Sequence, residues 1–154
     1  MLTDAWRATN HPVVTSLCND RNDEIRMMND ESKKIFDLEE RTARFAEQII
    51  DFVKTLPRNS ITFPLITQLV RSGTSVGANY CEADDAESRK DFRHKIGIAR
   101  KESRETMYWL RIIVRAVPES VDNASPLAQE AKELNLIFSK IVRSTADSIT
   151  AGKK

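Results

Sequence analysis

Residues 88–118 read SRKDFRHKIGIARKESRETMYWLRIIVRAVP, and the period of this stretch decides the fold. Phe92, Ile96, Ala99, Ser103, Leu110, Ile113, Val114 and Val117 fall on one face of a helix of 3.6 residues per turn. Ser88 with Asp91 three residues on has the form of a capping box, Asp standing where Glu is usual. Pro118 cannot continue the run. These signals predict a helix over 88–116, roughly 40 Å long at about 1.5 Å per residue. A helix of that length suits a bundle.

The same period recurs on both sides. Phe45, Ile49, Phe52, Val53 and Leu56 share one helical face, closed by Pro57-Arg58-Asn59-Ser60. Ile66, Leu69, Val70, Val76 and Tyr80 share another, with Pro64 suited to its first turn. The acidic run Glu82-Ala83-Asp84-Asp85-Ala86-Glu87 follows as a loop. Ser125-Pro126 opens a last helix that carries Leu127, Ala131, Leu134, Phe138, Ile141 and Val142. No stretch alternates with period two for long enough to make a strand. The expected helices are 38–56, 64–81, 88–116 and 125–148, and the expected class is an all-α, antiparallel up-and-down four-helix bundle over 38–150.

Residues 1–37 differ. They are polar, with Asn10, His11, Pro12, Asn19, Asp20, Asn22 and Asp23 and no sustained apolar period, and read as a disordered or loosely held arm. Met27 and Met28 suggest that the natural start is Met28; mass spectrometry of the native N-terminus checks this, and a peptide from residues 2–20 refutes it. The first residues, with Asp4 early, do not form a secretory signal. With 40% hydrophobic and 31% charged residues, and only four glycines and five prolines, the 154-residue chain is neither low-complexity nor collagen-like. No run of 18 apolar residues exists to cross a membrane. Cys18 and Cys81 form no CxxC pair, so the expectation is two reduced thiols in the cytoplasm, with Cys81 a small buried side chain.

The formal charge of +1 hides a strong asymmetry. Residues 89–115 hold nine Lys/Arg against three Asp/Glu, whereas residues 59–88 hold one against four. On the third helix Arg89, Arg93, Arg100, Arg104, Arg111 and Arg115 fall within a sector of about 80°, centred roughly 100° from the apolar face. Asp91, Glu102 and Glu105 lie on the other side. Arginine offers a planar two-point fork to phosphate or carboxylate. Two readings stay open. Either carboxylates of flanking helices neutralise the stripe, with Glu39, Glu40, Glu47 and Asp51 as suppliers, or the stripe faces an anion or a nucleic acid.

Other chemistry finds less support. A di-metal site of the Glu-x-x-His type needs two His half-sites, and His11 and His94 do not supply them, so no metal or cofactor is expected and His94 reads as a surface residue. Gly73-Thr74-Ser75-Val76-Gly77 lacks the preceding strand and the Lys-Ser or Lys-Thr pair of a phosphate loop. Ser72, Gly73, Ser75, Gly77 and Ala78 instead suggest a small-residue surface for close helix approach. Cys81 and His94 lack a third residue to orient a nucleophile–base pair.

The run LVRSGTSVGANYCEA at 69–83, followed by SRKDFRHKI at 88–96 and KESRETMYWL at 101–110, closely resembles the bacterial four-helix-bundle family of 23S rRNA-intervening-sequence proteins, over about residues 30–150. The resemblance implies a homo-oligomeric ring, typically a homopentamer. A related branch, the accessory variability proteins of diversity-generating retroelements, consists of basic pentamers that bind nucleic acid and partner a reverse transcriptase. The family has no catalytic residues to carry over; Arg71, Ser72, Ser75, Asn79, Glu82, Phe92 and Leu110 match its signature in what looks like an architectural role. Two functions are therefore expected. One is a non-enzymatic, oligomeric RNA- or DNA-binding protein that uses the six arginines. The other is a structural or adaptor homo-oligomer whose arginines are spent in salt bridges. Tyr108 and Trp109 are expected at the surface, available to further copies of the chain.

Overall fold

A computed structural model describes residues 38–151, with side chains described through residue 145. The arm expected at 1–37 lies outside the described residues. The described chain is all-helical, with four long helices: α1 (Leu38–Thr55), α2 (Thr62–Asp84), α3 (Arg89–Ala116) and α4 (Val121–Ala151). A 3-10 turn, Pro118–Ser120, joins the last two, and no strand occurs among the described residues.

The apolar periods build one core. Phe45, Ile49, Phe52, Val53 and Leu56 of α1 are buried, as are Leu69 and Val76 of α2, Ile96, Leu110 and Ile113 of α3, and Leu134 and Phe138 of α4. At about 25 cal/mol per Å² of apolar surface, burial of this kind is the main term holding the helices together. α3 packs against both α2 and α4, while α1 packs on α2 and more lightly on α4. Two glycines explain the α1–α2 approach. A Cβ on Gly73 would meet Ile49, and one on Gly77 would meet Thr42.

The core is not wholly apolar. Ser72, Ser103 and Thr106 have no exposed surface. Thr106 Oγ1 lies 3.1 Å from Ser72 Oγ, and Asn135 Nδ2 donates to Ser103 Oγ at 3.1 Å, so a hydroxyl layer crosses α2, α3 and α4. Ser72 and Ser103 donate their hydroxyl protons to carbonyls three residues back in their own helices. The single Thr106 proton is shared between Ser72 Oγ and the Glu102 carbonyl, so no hydroxyl of the layer lacks a partner.

Helix ends follow local chemistry, with two corrections. Ser88 Oγ accepts the Asp91 N–H at 3.1 Å, as a cap should. Asn59 Oδ1 accepts the N–H groups of Ile61 and Thr62 at the start of α2. α2 runs on to Asp84, through half of the acidic loop expected there. α4 starts at Val121 rather than at Ser125, and Pro126 lies inside it. The turn at Pro118–Ser120 already aligns the chain, and Pro126 is close enough to the helix start that only an exposed first-turn carbonyl goes without its partner.

Candidate nucleic-acid interface

α3 sorts its charges by flank. Asn135 of α4 donates to the carbonyl of Arg100 at 2.7 Å, so the flank that carries Arg100 faces the α4 side. Glu102 and Glu105 turn instead to Arg71 of α2. Five of the stripe residues, Arg89, Arg93, Arg104, Arg111 and Arg115, are exposed, and Arg100 is half-buried. The six therefore form a continuous cationic band along the outer α4 side of α3.

The α1 carboxylates that one of the two readings set against this band form no salt bridge with it among the described residues. Glu40 bonds Arg44 and Asp51 bonds Lys54, both within α1. Between helices, Glu130 and Glu133 of α4 reach Arg41 of α1, Glu82 reaches Lys95, and Glu105 reaches Arg71. Among the described residues, no salt bridge involves Arg89, Arg93, Arg100, Arg104, Arg111 or Arg115.

The opposite flank of α3 holds a constellation that the sequence reading missed. Arg71 binds Glu105, whose Oε1 also accepts the Trp109 indole N–H at 3.0 Å. These bonds, the indole first, hold the Glu105 carboxyl below its usual range. Glu102 behaves oppositely. Burial and the neighbouring Glu105 push its carboxyl up, against the pull of Arg71 Nη1 at 3.9 Å, and its Oε2 is buried without a hydrogen bond. The Glu102–Glu105 and Glu105–Trp109 spacings were visible in the sequence, but Arg71 comes from another helix. This cluster clamps α2 to α3.

Other expectations fall as follows. His94 is exposed. Among the described residues no group of three His, Cys, Asp or Glu side chains could hold a metal ion. Cys81 is exposed rather than buried, and so is Ala78. At about 100° per residue they lie roughly 140° and 160° from the core-facing Val76, so neither can join the small-residue contact. Tyr108 is 55% exposed, but Trp109, engaged by Glu105, is half-buried. No helix among the described residues is long and apolar enough to cross a membrane.

The model of the 23S rRNA-intervening sequence protein family matches residues 35–140. The chain belongs to this family. All six stripe arginines lie within the matched span. Among solved structures, the chain is similar to a protein of unknown function from the S23 ribosomal protein family of Bacteroides thetaiotaomicron, at 35% identity and a TM-score of 0.62, covering 68% of this chain and 96% of that one. A search of curated proteins finds no match. The family match leaves the purpose of the stripe to its geometry.

Proposed function

We propose that this chain is a non-enzymatic, cytoplasmic, homo-oligomeric protein that holds the phosphates of RNA or DNA on the arginine stripe of α3. Its helices are taken to run up and down, antiparallel, which agrees with the cross-helix pairs. Gly73 and Gly77 oppose Ile49 and Thr42, and Arg71 and Glu82 oppose Glu105 and Lys95, so residue numbers rise on one helix as they fall on its neighbour. The assembly expected from the family resemblance is a ring of five.

The observation that carries the reading is the unpaired stripe. Arg41, Arg44 and Arg71 each have a carboxylate partner, whereas six arginines aligned on one flank have none among the described residues. Such a band is a strong anion-facing surface. Phosphate contacts release counterions, so log affinity falls against log salt with a slope of about −0.9 per duplex phosphate or −0.7 per single-strand phosphate. Little sequence preference follows, because a phosphate contact carries no base information.

The test is the Arg93→Glu, Arg104→Glu double variant, read by fluorescence anisotropy with labelled oligonucleotides, circular dichroism and light scattering. The expected result is loss of binding with helix content and assembly mass unchanged. A second reading, an adaptor oligomer with the stripe consumed by salt bridges between copies, draws support from the exposed Tyr108 beside the band. A double variant that dissociates or unfolds decides for that reading and against nucleic acid.

A further inference from the structure

The described glycines are of two kinds. Gly73 and Gly77 are pressed against α1, but a Cβ built on Gly97 would meet nothing within 4 Å. No helix contact explains Gly97, in the interior of α3, where alanine would be preferred. Its surroundings give it a use. Lys90, Arg93, His94, Arg100 and Lys101 stand seven, four and three residues before it and three and four after, the positions that neighbour it on the helix surface. With Ile98 and with Val142 of α4 they line a depression of about 300 Å³. Four cations and an imidazole thus surround a bare patch of backbone. Among the described residues no carboxylate lines it, and none of the four cations has a salt bridge.

We propose that this depression is a phosphate-binding subsite that takes one phosphate group of a phosphate ester. Arg93 and Arg100 offer guanidinium forks matched to phosphate oxygens, and Lys90 and Lys101 add mobile point charges. Ile98 and Val142 add apolar lining, and the missing side chain of Gly97 leaves the floor open. For its ligand in the cell the subsite rests on the nucleic-acid reading, and a backbone phosphodiester and a terminal phosphate share the required chemistry.

Inorganic phosphate is titrated into the intact wild-type chain and the Gly97→Leu variant, and the backbone amides of Ile98 and Lys101 are followed by NMR. Gly97→Leu fills the depression without altering a charge, and leucine favours the helix. Saturable shifts in the wild type, with an apparent Kd raised at least about tenfold by Gly97→Leu, are the expected result. Shifts that never saturate, or an unchanged Kd, overturn the subsite. Should Gly97→Leu fail to fold by circular dichroism, Gly97→Ala repeats the comparison with a smaller expected rise, and an unchanged Kd there overturns it equally. Oligothymidylates with a 5′-phosphate or a 5′-hydroxyl separate the two sources. Equal weakening of both by Gly97→Leu supports a backbone phosphate, and weakening of the phosphorylated one alone supports a terminal phosphate. If inorganic phosphate saturates in a Gly97-dependent way and neither oligonucleotide binds, the subsite stands and the nucleic-acid reading fails.

Discussion

Gly73 lies so close to Ile49 that a Cβ added there would sit 3.0 Å from Cγ1 and 3.1 Å from Cγ2 of the isoleucine. Ile49 has no exposed surface and is β-branched, so it cannot swing aside. Gly73→Ala should therefore destabilise the chain by about 1–3 kcal/mol through overpacking, less a gain of up to about 1 kcal/mol in helix propensity. Ile49→Ala alone should cost about 2–5 kcal/mol. The double variant should lose less than the sum, and thermal unfolding of the four proteins reads the coupling. Strict additivity would refute the contact.

Gly97 predicts the opposite sign. With nothing near its Cβ, Gly97→Ala should stabilise by up to about 1 kcal/mol, seen as a higher Tm. A lower Tm would mean that another surface presses on this part of α3.

Glu102 and Glu105 should give opposed pH effects. Glu102 takes up its proton above the unfolded value of 4.5, so its contribution to stability falls as pH rises through the range between 4.5 and its folded value. Glu102→Gln should then raise Tm at pH 7.5, by an amount worth no more than about 1 kcal/mol, and the gain should vanish near pH 3. Glu105 ionises below 4.5 when folded, so its contribution is present above 4.5 and is lost as pH falls through the folded value. Glu105→Gln should lower Tm at pH 7.5 and change it little near pH 3. Equal shifts of the two variants at neutral pH would contradict the arrangement.

Arg41 is the ionic tie between α1 and α4. Its Nε and Nη2 reach both oxygens of Glu130, at 2.6 and 2.9 Å, and Nη2 also reaches Glu133 at 2.7 Å. Together these bonds push the guanidinium pKa up, Glu130 first. Arg41→Met keeps the stem and removes the fork, and should cost about 1 kcal/mol. Hydrogen exchange should quicken more in α1 than in α3, because α1 has fewer other contacts with α4. Uniform exchange would show that the tie is dispensable.

Salt provides a test of how many arginines act together. If all six arginines of one copy meet duplex phosphates, the log–log slope of affinity against salt should be near −5, and Arg111→Ala should reduce its magnitude by about 1. A slope near zero would remove phosphate from the account.

How much was legible in the sequence follows from the range of each interaction. The buried faces of α1 and α3 depend on a period within one helix, so Phe45, Ile49, Ile96 and Leu110 could be named from spacing alone. The alignment of the six arginines is a property of one helix too. Arg71 with Glu105, 34 residues apart, and Arg41 with Glu130, 89 apart, depend on which helices become neighbours. For the same reason the sequence left open whether Glu40 and Asp51 reach the stripe; Glu40 pairs with Arg44 and Asp51 with Lys54, both on α1. Cys81 and Ala78 were placed by residue type, when their angle from Val76 was the better guide. Pro126 misled because proline marks a helix's first turn so often that the shorter signal at Pro118 was read only as a stop.

The buried positions of α3, namely Ile96, Ala99, Ser103, Thr106, Leu110 and Ile113, repeat every seven residues. A seven-residue repeat is indifferent to sliding by seven, since an apolar face shifted by two turns still meets an apolar face. The hydroxyl layer removes that indifference. A slip would part Thr106 from Ser72 and Ser103 from Asn135, setting Ala99 or Ile113 against a serine and leaving side-chain polar groups without cross-helix partners. The cross-helix bonds exist in one alignment and are lost in its translated copies, so that alignment is favoured over them. Ser72, Ser103 and Thr106 thus act as an index mark that tells the folding chain where α3 must stop sliding.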